Sequence, residues 1–151
     1  MLLIASDHGG LELKEAIKAF LAERRIEVKD LGTDNGDSVD YPDYGEKVGR
    51  AVAKGEAQVG ILICGTGIGM SLVANKFPGV RAALVCDEYT ARMAKEHNNA
   101  NILIMGGRVH SPEQGKTMVA AWLDATFEGG RHQRRLDKIT RIEEDVRHGR
   151  I

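Results

Sequence analysis

Few cysteines, few prolines and almost no net charge mark this 151-residue chain. Its two cysteines, Cys64 and Cys86, both follow apolar runs, which excludes a disulfide framework and suits a reducing, cytoplasmic setting. A formal net charge of −1 argues against a general nucleic-acid or membrane-surface role. No apolar run approaches the ~20 residues of a membrane-spanning helix. The apolar start, Met1 to Ala5, meets Asp7 and His8 almost at once, so it reads as a first strand rather than a leader. Only 3 prolines stand against 18 glycines, a balance that suggests tight loops between regular elements rather than disorder. The five histidines have no close pair spacing and there is no Cys-x-x-Cys, so neither a metal nor a cofactor is expected. No linker, low-complexity stretch or 20–50-residue repeat divides the chain, and residues 1–151 read as one domain.

What is present is a rhythm of short apolar runs and amphipathic segments. Strands are expected at residues 2–5, 26–28, 59–63, 81–86 and 102–105, where apolar residues run together as in a buried parallel sheet. Between them, Leu13, Ile17, Phe20 and Leu21 recur at helical spacing in residues 11–23. Pro42 permits a helix start, continued over 44–54, and further helices are expected at 66–76 and 88–96. Ser111-Pro112-Glu113 supplies an N-cap, a proline at the first helical position and an early acid, opening a helix through residue 127. Gly129-Gly130 breaks it, and a charged helix runs from about 131 to the end. Five alternations predict a parallel sheet with helices on both faces. Ligands of such sheets lie beyond the carboxyl ends of the strands, which singles out Asp7, His8, Cys64 to Gly69, Asp87 and Gly106 to Arg108.

The densest signal is Gly60-Ile-Leu-Ile-Cys-Gly-Thr-Gly-Ile-Gly-Met-Ser71. A thiol at a strand end opens into a glycine-rich turn and a helix. Backbone N–H groups at that turn favour an anion, and an electropositive helix start can lower a thiol from its usual ~8.5. The turn lacks the Gly-Lys-Ser/Thr ending of a Walker A loop, and Met70 stands where a dinucleotide fingerprint needs its third glycine. Asp87 lies near where a ribose-binding acid would fall, so a dinucleotide remains an alternative. A purely structural turn is a second one, and Cys64 alone reads as well as a small core hydrophobe. Asp7 and His8 could cap the following helix. His97 reads equally as a helix C-terminal cap or a general acid–base. Arg131 and Arg135 share a helix face, with Arg134 beside it. Two guanidinium groups near a helix start oppose its dipole, which points to an anionic ligand such as a phosphate dianion.

Taken together, Ser6-Asp-His-Gly-Gly10, Asp40-Tyr-Pro42, Cys64-Gly-Thr-Gly-Ile-Gly69, Ala74-Asn-Lys76, Glu96-His-Asn-Asn-Ala-Asn101 and Gly129-Gly-Arg-His-Gln-Arg-Arg135 resemble the type B ribose-5-phosphate isomerases, whose family includes the galactose-6-phosphate isomerase subunits. The resemblance covers nearly the whole chain in order. It implies a three-layer Rossmann-like fold, a homodimer or dimer of dimers with shared active sites, and metal-free aldose–ketose isomerisation of a sugar phosphate. It further implies that Cys64 moves the proton between C1 and C2, with Thr66 assisting near the reacting oxygen. The backbone of Gly65, Gly67, Ile68 and Gly69 would hold the enediolate, where each prearranged donor is worth ~3–4 kcal/mol. His97 would open the sugar ring, with Asp7 and Tyr41 as polar partners. His8, Arg131 and Arg135 would hold the phosphate, and Asn98 and Arg108 would complete the pocket from the neighbouring subunit. Some relatives use a glutamate in the loop instead of the cysteine; here Met70 occupies that place, which leaves Cys64 as the base. Galactose-6-phosphate isomerases divide these residues between two different subunits. This chain carries the full set, which favours a homomeric pentose-phosphate enzyme. Isomerases of allose 6-phosphate, galactose 6-phosphate or a tetrose phosphate, and a non-enzymatic nucleotide or phosphate module, are the alternatives.

Overall fold

The computed structural model describes residues 1–151. Its strands are β1 (Leu2–Ser6), β2 (Val28–Asp30), β3 (Val59–Cys64), β4 (Ala82–Leu84) and β5 (Ile102–Gly106). Its helices are α1 (Leu11–Glu23), α2 (Tyr41–Ala53), α3 (Ile68–Ala74), α4 (Glu88–Glu96), α5 (Pro112–Asp124) and α6 (Arg131–Arg147). All strand pairs are parallel, in the order β2-β1-β3-β5-β4.

Side chains alternate across the sheet and build two cores. Leu2, Ile4, Ile61, Ile63, Leu103 and Met105 meet α1, α4 and α5, whose Ile17, Ala94 and Trp122 pack against them. Leu3, Ala5, Leu62, Cys64, Ile102 and Ile104 meet α2 and α3 through Val48, Val52, Met70 and Ala74. Each fully buried large apolar side chain contributes about 1.5–3 kcal/mol, so both faces must be covered for the sheet to persist. Trp122 is fully buried and donates its indole N–H to the Ala100 carbonyl at 3.1 Å, which leaves no polar atom unpaired.

Local chemistry explains most boundaries. Ser111 and Gln114 form a reciprocal capping box at the start of α5, and Asp87 with Thr90 does the same for α4. Asp87 is therefore spent as a cap, its carboxyl held below the usual range by the Thr90 N–H and hydroxyl. Several expected limits shift. β2 lies two residues later than the Ile26–Val28 run, because Leu31 N–H and Thr33 N–H dock on β1 carbonyls just beyond it. The helix after the glycine turn has only seven residues, its N-cap being Gly67 at φ +84°. The helix opened by Ser111 stops at Asp124 rather than 127, with Ala125 extended. The strand expected at 81–86 ends at Leu84, which leaves Cys86 exposed.

The chain leaves β1 toward one side of the sheet and returns to β3 on the other. The crevice above β1 and β3 is thus a topological switch point, flanked by Asp7-His8 and by Cys64. No helix is long and apolar enough to cross a membrane.

Candidate active site

Beyond the carboxyl edge of the sheet, the turns after β1, β3 and β5 touch one another. A Cβ on Gly9 would stand 3.2 Å from the Gly65 nitrogen, and one on Gly107 would stand 2.4 Å from the Gly9 carbonyl oxygen. These backbones approach so closely that glycine is the residue that fits. Cys64 is 5% exposed at the floor of this edge, and its Sγ accepts the Gly67 N–H at 3.2 Å. The Ile68 N–H reaches the Thr66 hydroxyl at 3.3 Å, while the N–H groups of Thr66 and Gly69 keep no intrachain acceptor. Because α3 is only two turns long, the donors that matter are these loop amides rather than a long helix dipole.

Around the thiol stand the other carboxyl-edge residues. Asp7 is 7% exposed and accepts the Gly10 N–H at 3.1 Å, capping the short 3-10 turn His8–Gly10. His8 Nδ1 accepts the Val39 N–H at 3.2 Å, so a neutral His8 carries its proton on Nε2. The segment that delivers Val39 is anchored from below. Fully buried Lys14 reaches the carboxylate of Asp30 at 2.8 Å and also the Thr33 carbonyl. Burial by itself would raise the Asp30 carboxyl; hydrogen bonds from Lys14, Lys18 and the Gly32 N–H outweigh it and hold the group below its usual value. Neither Lys14 nor Asp30 stands out in the sequence, because a Lys–Asp pair sixteen residues apart has no local signature. Tyr41 opens α2, and its ring lies over Gly69, where a Cβ would be 2.5 Å from the ring carbons. Arg108 N–H donates to the Gly65 carbonyl at 2.9 Å, and a Cβ on Gly65 would meet the guanidinium at 3.0 Å. Arg108, expected from a neighbouring subunit, therefore lines the loop of its own chain.

The remaining site residues lie at the other edge. α4 and α5 run antiparallel to the strands and end at the amino edge, so His97, Asn98, Arg131 and Arg135 gather there. His97 is the C-cap of α4, its N–H bonded to the Met93 carbonyl at 2.9 Å. Its Nε2 is 3.4 Å from Glu128 Oε1, and its ring stacks on His132 with centroids 4.2 Å apart and planes 12° apart. His132 is 4% exposed and its Nε2 has no hydrogen-bond partner. Burial first, then the charges of His97 and Arg131, keep His132 below the ordinary histidine range. Histidines distant in sequence are thus brought together, and atoms of His97, Glu128 and His132 fall within 4.8 Å of one another. Ring lone pairs lie in the ring planes, so two stacked imidazoles aim them along parallel planes rather than at one cation.

Strand length separates the two groups. The five steps from Val59 to Cys64 along β3, at about 3.3 Å each, put roughly 17 Å of sheet between Cys64 and the edge that bears His97.

Residues 2–139 match the family model described as Ribose/Galactose Isomerase. Over 138 residues the chain is 50% identical to the Escherichia coli (strain K12) ribose-5-phosphate isomerase B, covering 91% of this chain and 93% of that one. The solved Clostridium thermocellum ribose-5-phosphate isomerase B superposes with a TM-score of 0.93 at 52% identity, covering 96% and 98% of the two chains. A Mycoplasma genitalium ribose-5-phosphate isomerase B, solved with bound ribulose 5-phosphate, gives a TM-score of 0.91 at 46% identity, covering 95% and 96%.

Proposed function

This chain belongs to the ribose/galactose isomerase family, and we propose that it interconverts ribose 5-phosphate and ribulose 5-phosphate at a site completed by a second copy of itself. The observation that carries the reading is the buried Cys64 thiol beside the unpartnered N–H groups of Thr66 and Gly69. A base next to free amide donors is what proton abstraction beside a carbonyl requires.

The cyclic aldose has no free carbonyl, so the ring opens first. His97 takes the proton of the anomeric hydroxyl as the C1–O4 bond breaks, then returns it to O4, leaving an aldehyde at C1. Cys64, as thiolate, removes the proton from C2. Negative charge passes to O1, for which the unpartnered amides of Thr66 and Gly69 are available as donors. The thiol then protonates C1 while a proton shifts from O2 to O1, and the product is the ketose. No atom is gained or lost, and the base is regenerated. Asp7, Tyr41 and Arg108 border the sugar at the Cys64 edge.

His8, Arg131 and Arg135 hold the phosphate. Its binding energy, remote from the reacting carbons, can be used to position them. Within one chain His97, Asn98, Arg131 and Arg135 are on the wrong side of the sheet for Cys64. A dimer in which each amino edge faces the partner's carboxyl edge brings them together. α6 supports that arrangement. Ile139, Ile142 and Val146 are each more than half exposed along it, an apolar stripe on the helix that carries both arginines.

The test is a panel of four- to six-carbon sugar phosphates with wild type and Cys64→Ala. Ribose 5-phosphate is expected to be turned over best, with activity lost in the variant. Near-normal turnover by Cys64→Ala would remove the proton-transfer assignment. Binding of a dinucleotide with no response to any sugar phosphate would remove the isomerase reading.

A further inference from the structure

We propose that Glu128 is a positioning residue for His97, fixing which ring nitrogen exchanges protons with the sugar. The inference rests on the assignment of ring opening to His97.

Three contacts define the surroundings of that imidazole. Glu128 Oε1 lies 3.4 Å from Nε2, His132 covers a ring face at 4.2 Å, and the backbone of His97 is fixed as the cap of α4. The acid is itself held in place: Glu128 N–H donates to the Glu96 carbonyl at 3.0 Å, one residue before His97. His132 in turn donates its backbone N–H to the Gly129 carbonyl at 3.0 Å. The short run from Glu128 to His132 thus binds to the end of α4 and supplies both neighbours of the ring.

A neutral imidazole carries one proton, and an ionised carboxylate only accepts. Glu128 therefore selects the tautomer with the proton on Nε2. The lone pair is left on Nδ1, which becomes the atom that takes the anomeric proton and gives it back to the ring oxygen. While Nδ1 holds that proton the ring is an imidazolium, and the carboxylate stabilises it. The 3.4 Å separation is long for a hydrogen bond, as catalytic contacts often are before substrate closes over them. Base oriented by a third group is the same logic by which an aspartate serves a catalytic histidine in hydrolases.

The experiment compares wild type with Glu128→Ala, Glu128→Gln, Glu128→Asp and His97→Asn. Three quantities are read: the side-chain 15N shifts of His97, kcat and KM for ribose 5-phosphate, and solvent-deuterium exchange at C1 of ribulose 5-phosphate. Ribulose 5-phosphate is open-chain, so its exchange needs the proton-transfer step alone. Wild type is expected to show the Nε2–H form. Glu128→Ala should lose that preference and lower kcat by about tenfold or more, with a smaller change in KM and with C1 exchange retained. Glu128→Gln, which keeps an acceptor, and Glu128→Asp should each recover part of kcat, and either serves in place of an unstable alanine variant. A wild-type His97 carrying its proton on Nδ1, or Glu128 variants with wild-type tautomer and kcat, would overturn the proposal. Undiminished turnover of ribose 5-phosphate by His97→Asn would instead overturn the ring-opening assignment beneath it.

Discussion

Cys64 and His97 stand at opposite edges of the same sheet: Cys64 ends β3 at the carboxyl edge, and His97 follows α4 at the amino edge where β5 begins. One molecule cannot apply both to one substrate. Activity should therefore depend on association. Replacing Ile139 and Ile142 on α6 by aspartate puts two charges into the exposed apolar stripe. Sedimentation is expected to show a monomer with native circular dichroism and with isomerase activity reduced by at least about a hundredfold. A monomer with wild-type turnover would contradict the shared site.

Cys64→Ser should fold normally, because serine is nearly isosteric with cysteine and its hydroxyl can accept the Gly67 N–H that the sulfur now takes. A serine hydroxyl is far less acidic than a thiol, so kcat should fall by about two to four orders of magnitude, the usual span for a general base. Deuterium exchange at C1 of ribulose 5-phosphate, followed by NMR, should vanish with it. Exchange that persists would assign the base elsewhere.

Glycine substitutions in the turn should separate strain from substrate recognition. Gly67 has φ +84°, and a Cβ there would meet the Met105 backbone at 3.1 Å. Gly67→Ala should cost about 1–2 kcal/mol from the left-handed backbone alone, read as a lower midpoint of chemical denaturation. At Gly69 the atoms nearest a Cβ belong to the Tyr41 ring, at 2.5–3.0 Å, and that ring can swing aside. Gly69→Ala should thus stay folded and raise KM through the displaced tyrosine. Unchanged KM would remove Tyr41 from the sugar pocket.

His132 should make the fold acid-sensitive. Its folded pKa lies below the ordinary histidine value of about 6.5, mainly because the ring is buried, so the unfolded chain binds the proton first. The neutral ring's contribution is complete above about pH 6.5 and declines as pH falls below that value toward the lowered folded pKa. His132→Phe keeps a ring against His97 and cannot protonate. Thermal midpoints measured from pH 7.5 to 5 should fall less steeply in the variant, and an identical slope would contradict this origin.

Much of this molecule is legible in the chain, for reasons that differ by element. The apolar runs of β1, β3 and β5 and the limits of α1 and α4 follow from periodicity and capping, which act locally. The order in which strands pair does not, since β5 slips between β3 and β4 through long-range packing. The start of α3 at Ile68, two residues later than expected, depends on a left-handed Gly67 at its N-cap that no spacing reveals. In the site, Cys64 and its loop are consecutive and stand out in the sequence. The stacking of His97 on His132, the approach of Glu128, and the anchoring of the Val39 segment by Lys14 all join distant positions. The sequence suggests which residues take part, while only the fold shows that they fall into two groups on opposite edges. It also returns Arg108 to the edge of its own Cys64.

The sharing of one site by two chains is tested most directly by mixing two inactive proteins. Cys64→Ala keeps His97, and His97→Asn keeps Cys64. After co-refolding in equal amounts, half of the dimers are mixed, and each mixed dimer carries one site with both residues intact and one with neither. Isomerisation of ribose 5-phosphate should return to about a quarter of the wild-type rate. A mixture that stays as inactive as its components, with mixed dimers verified by mass spectrometry, would contradict the shared site.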